Sequence, residues 1–284
     1  MLTPTKLRDP YWLDEHNALV QAKRGWFIAN KNDTFLGAAL LYYGEALEKE
    51  HEFLISMINR RDRVIEVGAN IGIHTVGLCR VAKEVIAIEP QPAIHRVLCA
   101  NLAINNISNV VTHAVGCGAE SKTLTFQPYS TAQEHNSGGV ALSDGPGIRV
   151  PIVRLDDLAA DIDEVRLIKI DVETMELDVL RGAAGTIAKY RPLLYVENEM
   201  QSHCEPLVKW LRDSDYALFW HTPALHNHRN ILGRPNRYGG SAVLVSYNML
   251  CVPNESTEII HGPLQPVQDA FHNFQGLIEV IPQC

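Results

Sequence analysis

The chain has 284 residues, 46% hydrophobic and 20% charged, proportions of a soluble domain that folds by itself and far from those of a disordered one. Its 25 Lys and Arg against 33 Asp and Glu give a net charge of −8, which opposes attraction to nucleic acid or to an anionic membrane. No apolar run approaches the roughly 18 residues of a membrane span, so neither partner is expected.

The opening residues MLTPTKLRDPYW show no charged segment followed by an apolar one, so no secretory signal is read and a cytoplasmic location is expected. Six cysteines (Cys79, Cys99, Cys117, Cys204, Cys251 and Cys284) show no zinc-like spacing and read as reduced thiols. Asp14–Lys23 and Phe35–Arg60 carry helical spacing, which predicts a helical cap or dimerisation element over residues 1–55 ahead of a larger domain over 56–284. From Arg63 onward, short β-branched runs alternate with helical stretches, the pattern of stacked βαβ units and a mostly parallel sheet. The predicted strands are Arg63–Val67, Val85–Ile88, Val110–Ala114, Leu167–Val172, Leu193–Glu197, Tyr216–Trp220 and Val243–Ser246. Near-continuous apolarity in the central ones predicts helices on both faces. Thr123–Phe126 and Ile148–Val153 are two further β-like pieces. They flank a Ser/Gly/Asn/Asp-rich loop, Tyr129–Gly147, and a second loop, His221–Gly240, precedes the last strand.

The segment VIEVGANIGIHT, residues 64–75, ends a strand beside Glu66, turns at Gly68 and Gly72, and begins a helix near Ile73. Gly68 permits the sharp turn, and Gly72 removes a Cβ where the helix start is crowded. Such a turn is expected to leave backbone N–H groups unpaired beside a ligand. A dinucleotide fingerprint needs a middle glycine, and Asn70 stands in its place. Glu66 suits a cofactor bearing an ammonium rather than a diphosphate at this point, as S-adenosylmethionine does. Glu89, 21 residues after Gly68, ends the second strand where a carboxylate accepts hydrogen bonds from a ribose diol. Both cofactor classes share that feature, so a nicotinamide-dependent oxidoreductase stands as the alternative reading.

Together, the turn at 66–72, Ile88-Glu89-Pro90, Leu155-Asp156-Asp157-Leu158, the string IKIDVETME at 168–176 with Val179-Leu180-Arg181-Gly182, and Arg191-Pro192 ahead of Glu197 resemble the FkbM-type methyltransferase family. The resemblance runs from about Tyr43 to Pro253. It implies a class I methyltransferase fold, Rossmann-like α/β with a seven-stranded, mostly parallel sheet and helices on both faces. It also implies S-adenosyl-L-methionine as methyl donor and, usually, O-methylation of a hydroxyl. The candidate cofactor-binding residues are Glu66, Gly68, Asn70, Gly72, His74, Thr75, Glu89, Ala114, Val115 and Asp171. Two departures stand out. Thr174 replaces the family's glycine, and a β-branched residue is expected to exclude a left-handed backbone there. Ala114-Val115-Gly116-Cys117-Gly118 offers no acidic or amide side chain for an adenine.

Ligands of open α/β sheets lie beyond the carboxyl ends of the strands. Asp171, Glu173, Glu197 and Glu199 gather at that rim. They read as a base for the acceptor hydroxyl, as oxygen ligands of a divalent metal, or as helix caps and partners of Lys169, Arg181 and Arg191. The base reading is preferred, with Asp171, Glu173 and Glu197 as the candidate catalytic residues and no metal assigned. His221, His226 and His228 crowd one loop without zinc spacing, and Arg234, Arg237 and Tyr238 are candidates for an anionic or sugar-like acceptor. The resulting expectation is O-methylation of a small molecule, sugar or secondary metabolite. A catalytically silent methyltransferase-fold binding module is the remaining alternative, because Thr174 departs from the pattern.

Overall fold

The computed structural model describes residues 7–198, 201–237, 244–258 and 260–267. The N-terminal segment forms strands β1 (Tyr11–Trp12), β2 (Asn17–Ala22) and β3 (Gly25–Asn30), followed by helices α1 (Leu36–Tyr43) and α2 (Glu48–Ser56). The helical reading of Asp14–Lys23 is thus corrected to an antiparallel ribbon. Ala18, Val20 and Ala22 are buried while their neighbours are half-buried, a period of two that belongs to a strand. The outer edge of β3 is not left open. Asn101 accepts from the Ile28 N–H at 2.7 Å, and Asn105 both accepts from and donates to Trp26, so amides of a later helix complete the ladder.

The central elements follow as β4 (Arg63–Val67), α3 (Thr75–Leu78), β5 (Glu84–Ile88), α4 (Pro92–Ile104), β6 (Val110–His113), β7 (Gly116–Cys117), β8 (Lys122–Phe126), β9 (Ile148–Val153) and α5 (Leu155–Leu158). Then come β10 (Leu167–Ile170), α6 (Glu176–Gly182), α7 (Ala184–Tyr190), β11 (Leu193–Glu197), α8 (Gln201–Asp213), β12 (Tyr216–His221), β13 (Asn248–Pro253) and β14 (Gln265–Pro266). The main sheet has the order β14-β12-β13-β11-β10-β4-β5-β6. Strands β6, β5, β4, β10 and β11 pair in parallel, whereas β13 runs antiparallel to both its neighbours. This is the class I methyltransferase arrangement with an eighth, two-residue strand, β14, on β12. The predicted last strand at Val243–Ser246 is also corrected. Val243 lies outside the described residues, Val245 makes only an isolated bridge to Ala224, and the strand itself is β13.

Successive residues of β4 supply opposite faces. Ile65 and Val67 join a core with Val179, Leu180, Leu207 and Leu211, and Val64 joins one with Phe53, Leu54 and Leu78. Helices therefore cover both faces. Strands β8 and β9 form a hairpin whose connecting loop, 127–147, reaches back to the N-terminal ribbon. The chain runs outward from β4 to β5 and β6 on one side, then from β10 to β11 on the other, so strand order switches between β4 and β10. That switch point is where a crevice opens in such sheets.

Candidate active site

The β4–α3 turn lies directly over the switch point. Gly68 has φ +86, and a Cβ there would sit 1.8 Å from the Asp171 carbonyl oxygen of the neighbouring strand end, so only glycine fits. Gly72, at φ +89, faces Leu98 of α4; it serves helix packing. The expectation of unpaired N–H groups is overturned here. The N–H groups of Gly68 and Ala69 bond the Ile88 carbonyl, that of Asn70 bonds Glu89 Oε2, that of Ile71 bonds Asn70 Oδ1, and that of Gly72 bonds the Ala69 carbonyl. A diphosphate would find no free donor at residues 68–72.

A cavity of about 300 Å³ opens above it, with Glu50, Glu66, Asn70, His74, Glu89, Lys169, Asp171, Glu173 and Glu197 among its polar lining and Leu36, Leu47, Leu225 and Leu244 among its apolar lining. A narrower slot of about 50 Å³ shares Gly68, Glu89, Asp171 and Glu173 with the cavity and is closed by Pro90, Cys117, Val140, Leu142 and Met175. All three candidate catalytic carboxylates thus converge. Of the candidate cofactor residues, Glu66, Gly68, Asn70, His74, Glu89 and Asp171 line the cavity. Gly72 and Thr75 support it from below, Thr75 Oγ1 donating to Glu66 Oε2 at 2.7 Å. Ala114 and Val115 do not reach it, because Ala114 is exposed and Val115 packs against the main core. Gly116 and Cys117 line the slot in their place.

The electrostatics are organised by a buried lysine. Lys169 is only 1% exposed, and its Nζ donates to Asp171 Oδ2 at 2.8 Å and stands 4.0 Å from Glu50 Oε1. Burial works against its charge, but Asp171, Glu50 and Glu66 outweigh burial and push its pKa up. Burial likewise opposes the Asp171 charge, yet Lys169 and a hydrogen bond with Glu197 hold it below the usual carboxylate range. Glu50 also stays low despite burial, held by His74, whose Nε2 lies 3.1 Å away, and by Lys169. Burial dominates at Glu66 and raises it. Glu89 accepts the Asn70 and Gln91 N–H groups, one on each oxygen, but burial pushes it up to about 7. Behind this row, His51 packs on His74 with their Nδ1 atoms 3.3 Å apart, and burial drives it down to about 2.

Thr174 corrects a second expectation. It occupies the left-handed region at φ +80, next to Glu173 at φ +51, a conformation that costs a β-branched residue about 1–2 kcal/mol. The Glu176 carboxylate holds the turn by accepting from the Val172 and Thr174 N–H groups, both at 3.2 Å, and burial lifts its pKa to about 7.

The loop over the cavity is tied down at several points. Ser137 Oγ donates to Asp33 Oδ2 at 2.7 Å, Gln91 Nε2 donates to the Ser137 carbonyl, and Tyr129 OH donates to Gln91 Oε1. Residues 136–138 line the cavity and Gly138, Val140 and Leu142 line the slot, so one strap covers both. The second loop docks on the N-terminal helices. Glu45 accepts from Asn227 and Ile231, and Tyr43 OH accepts the Arg237 N–H. None of His221, His226, His228, Arg234 and Arg237 lines the cavity. His221 bonds Tyr195 and falls to about 4 by burial, the three histidines line a separate groove of about 660 Å³, and Arg234 sits over the Tyr42 ring. Arg181 and Arg191 pair elsewhere, with Asp178 and Glu255, leaving Lys169 as the partner of the rim. Glu199 and Tyr238 lie outside the described residues. Glu50 and Gln91 escaped sequence reading. Lys169 had a signal: a lysine amid the apolar strand LIKI. Among the described residues no group of three or more His, Cys, Asp or Glu side chains is arranged to hold a metal ion.

A family model described as the methyltransferase FkbM domain matches residues 66–218. The chain is 30% identical over 143 residues to Methyltransferase 1 of Beauveria bassiana, covering 42% of this chain and 57% of that protein. It is 26% identical over 136 residues to the hexuronic acid methyltransferase AglP of Haloferax volcanii, covering 47% and 55%. A solved methyltransferase FkbM from Methylobacillus flagellatus KT aligns at 19% identity and TM-score 0.46, covering 68% of this chain and 44% of that one. The chain spans between about half and two thirds of the length of the curated relatives it matches, 55% to 64%.

Proposed function

The chain belongs to the FkbM methyltransferase family, the matched region being more than half of its sequence, and from that premise we propose that it transfers a methyl group from S-adenosylmethionine to a hydroxyl of a small molecule or sugar. One observation carries the reading: Glu66, Glu89 and Asp171, from three adjacent strand ends, face a single cavity across a glycine turn whose N–H groups at 68–72 are all occupied. Carboxylates over a turn so occupied suit a cationic donor bearing a ribose diol better than a dinucleotide. The residues present fit that donor. Glu89 would take the ribose hydroxyls, Glu66 and the turn the ammonium end, and the slot between Pro90, Cys117, Leu142 and Met175 the adenine.

When bound, the donor supplies an electrophilic methyl on a good leaving group, so the protein chiefly aligns and dehydrates the reactants. Asp171, kept ionised by Lys169, accepts a hydrogen bond from the acceptor hydroxyl and aims its oxygen. The hydroxyl proton passes to the Asp171 carboxylate, which shares a hydrogen bond with Glu197. The strap at 136–142 keeps water from the reacting atoms. The test is labelled-methyl transfer from S-adenosylmethionine into small-molecule extract, with Asp171→Asn alongside. Labelled product is expected, falling by about 10²–10⁴-fold in the variant, the range for loss of a general base. A folded protein that binds the donor but labels nothing would refute the proposal.

A further inference from the structure

We infer that the acceptor meets this enzyme through an uncharged, hydroxyl-bearing group with an apolar flank, and that the cavity rejects acceptors anionic at the reacting end, uronates and phosphate esters included. The inference rests on the methyl-transfer reading and concerns the acceptor side of the same site. Among the described residues six carboxyl groups line the cavity: Glu50, Glu66, Glu89, Asp171, Glu173 and Glu197. Its only Lys, Arg or His side chains among the described residues are Lys169 and His74, and both face Glu50. Lys169 bonds Asp171 and faces Glu50, and His74 pairs with Glu50 at 3.1 Å. No arginine lines the cavity among the described residues. Arg234 is stacked on Tyr42 outside it. An incoming anion would be desolvated against carboxylates with no unpaired cation to receive it.

A neutral polyol meets the opposite situation. Its hydroxyls donate, and Asp171, Glu173 and Glu197 accept at the rim; the amides and hydroxyls of Asn136, Ser137 and Ser246 line the same cavity. In the same cavity, Leu36, Leu47, Leu225 and Leu244 offer apolar surface for C–H groups, which a ring or aliphatic chain would cover. Specificity of this kind arises as much from an unpaired charge imposed on the wrong acceptor as from contacts to the right one.

Two readouts test this, and only one depends on turnover. The first is calorimetry of S-adenosylhomocysteine against sinefungin, in which an amino-bearing carbon replaces the methylsulfonium and so places a positive charge at the acceptor face. Sinefungin is expected to bind tighter by about tenfold or more, with the ratio narrowing in Glu173→Gln. The second is anion exchange at pH 8 of labelled products formed from extract, before and after mild alkali, which releases label as methanol from a methyl ester but not from a methyl ether. Label is expected in the unretained, alkali-stable fraction. A wild-type ratio at or below one, a ratio unchanged in Glu173→Gln, or label that is retained as an anion or released by alkali would overturn the inference. Should the variant fail to fold, the wild-type ratio and the fate of the label still decide. Absence of any labelled product would count against methyl transfer itself, and the analogue ratio would then judge the electrostatics alone.

Discussion

Replacing Lys169 by methionine keeps most of the side chain's volume, one heavy atom shorter, while removing one buried charge. In the wild type the ammonium lies 2.8 Å from Asp171 and 4.0 Å from Glu50. At an effective dielectric near 20 those separations correspond to about 6 and about 4 kcal/mol of gross attraction. Much of that is offset by the cost of burying the ammonium, a cost that methionine avoids. Removing one partner of a buried ion pair typically leaves a net loss of about 3–5 kcal/mol, a large share of the 5–15 kcal/mol by which domains are usually stable.

The pH dependence separates lost charge from lost packing. In the wild type Asp171 is held low, so its contribution is present above the unfolded-state value near 3.9 and is lost only as pH falls through the still lower folded value. In Lys169→Met the sign inverts. Asp171, buried without its cation, is expected to titrate above its unfolded value, so the penalty is complete at pH 8 and fades as pH falls toward 4.5. Urea unfolding across that range is expected to show the stability gap closing by more than half. A second comparison fixes the cause: Asp171→Asn in the Lys169→Met background is expected to recover part of the loss. A gap constant with pH, together with additive single-variant losses, would show that Lys169 acts by packing alone.

Burial has pushed Glu89 up to about 7, so donor affinity is expected to rise between pH 6 and 8 as the carboxylate ionises to receive hydroxyl donors, with protons released on binding; calorimetry on Glu89→Gln should show weaker binding without that dependence. The same raised values at Glu89 and Glu176 favour the ligand-free fold below pH 4.5 and withdraw that stability as pH rises through 7. Thr174→Gly relieves a left-handed threonine at φ +80, and after glycine's entropic cost the unfolding midpoint is expected to correspond to a gain of about 0.5–1 kcal/mol; a loss would mean that the threonine side chain makes contacts worth more than its strain. Exchanging residues 137–140 for a Gly-Ser linker is expected to weaken S-adenosylmethionine binding by tenfold or more, since Gly138, Val140 and Leu142 close the slot beside Glu89; donor affinity within threefold would show that the strap serves the acceptor alone.

The strand ends were legible because alternation and apolar runs are local. Glu66, Glu89, Asp171 and Glu197 could be placed at one rim before any contact was known. What escaped depends on partners distant in sequence. In the stretch NALVQA, adjacent Leu19 and Val20 mask the alternation, and only α4, through Asn101 and Asn105, caps the strand it pairs into. The N–H groups of the glycine turn read as free because their acceptors, Ile88 and Glu89, sit on the next strand. Thr174 read as excluding a left-handed turn because the opposing force comes from Glu176, whose carboxylate grips two N–H groups of the turn. Propensity ranks residues one at a time, and here the tertiary bond outweighs it.

The strap also changes how the pocket is divided. A donor on the sheet rim and an acceptor under the loops would be separable if the two spaces had separate walls. In the structure, Gly138 lines both the cavity and the slot, and Gln91, two residues beyond Glu89, grips the strap through the Ser137 carbonyl and Tyr129. Asp33, just beyond the N-terminal ribbon, holds the same Ser137 by its hydroxyl at 3% exposure. One short segment is thus pinned on one side by the residue that follows the donor's carboxylate and on the other by the ribbon's end. A donor in the slot would touch the same segment that walls the cavity. If the donor orders that segment, acceptor affinity is expected to change when S-adenosylhomocysteine is bound, and equal acceptor affinity with and without it would refute the coupling.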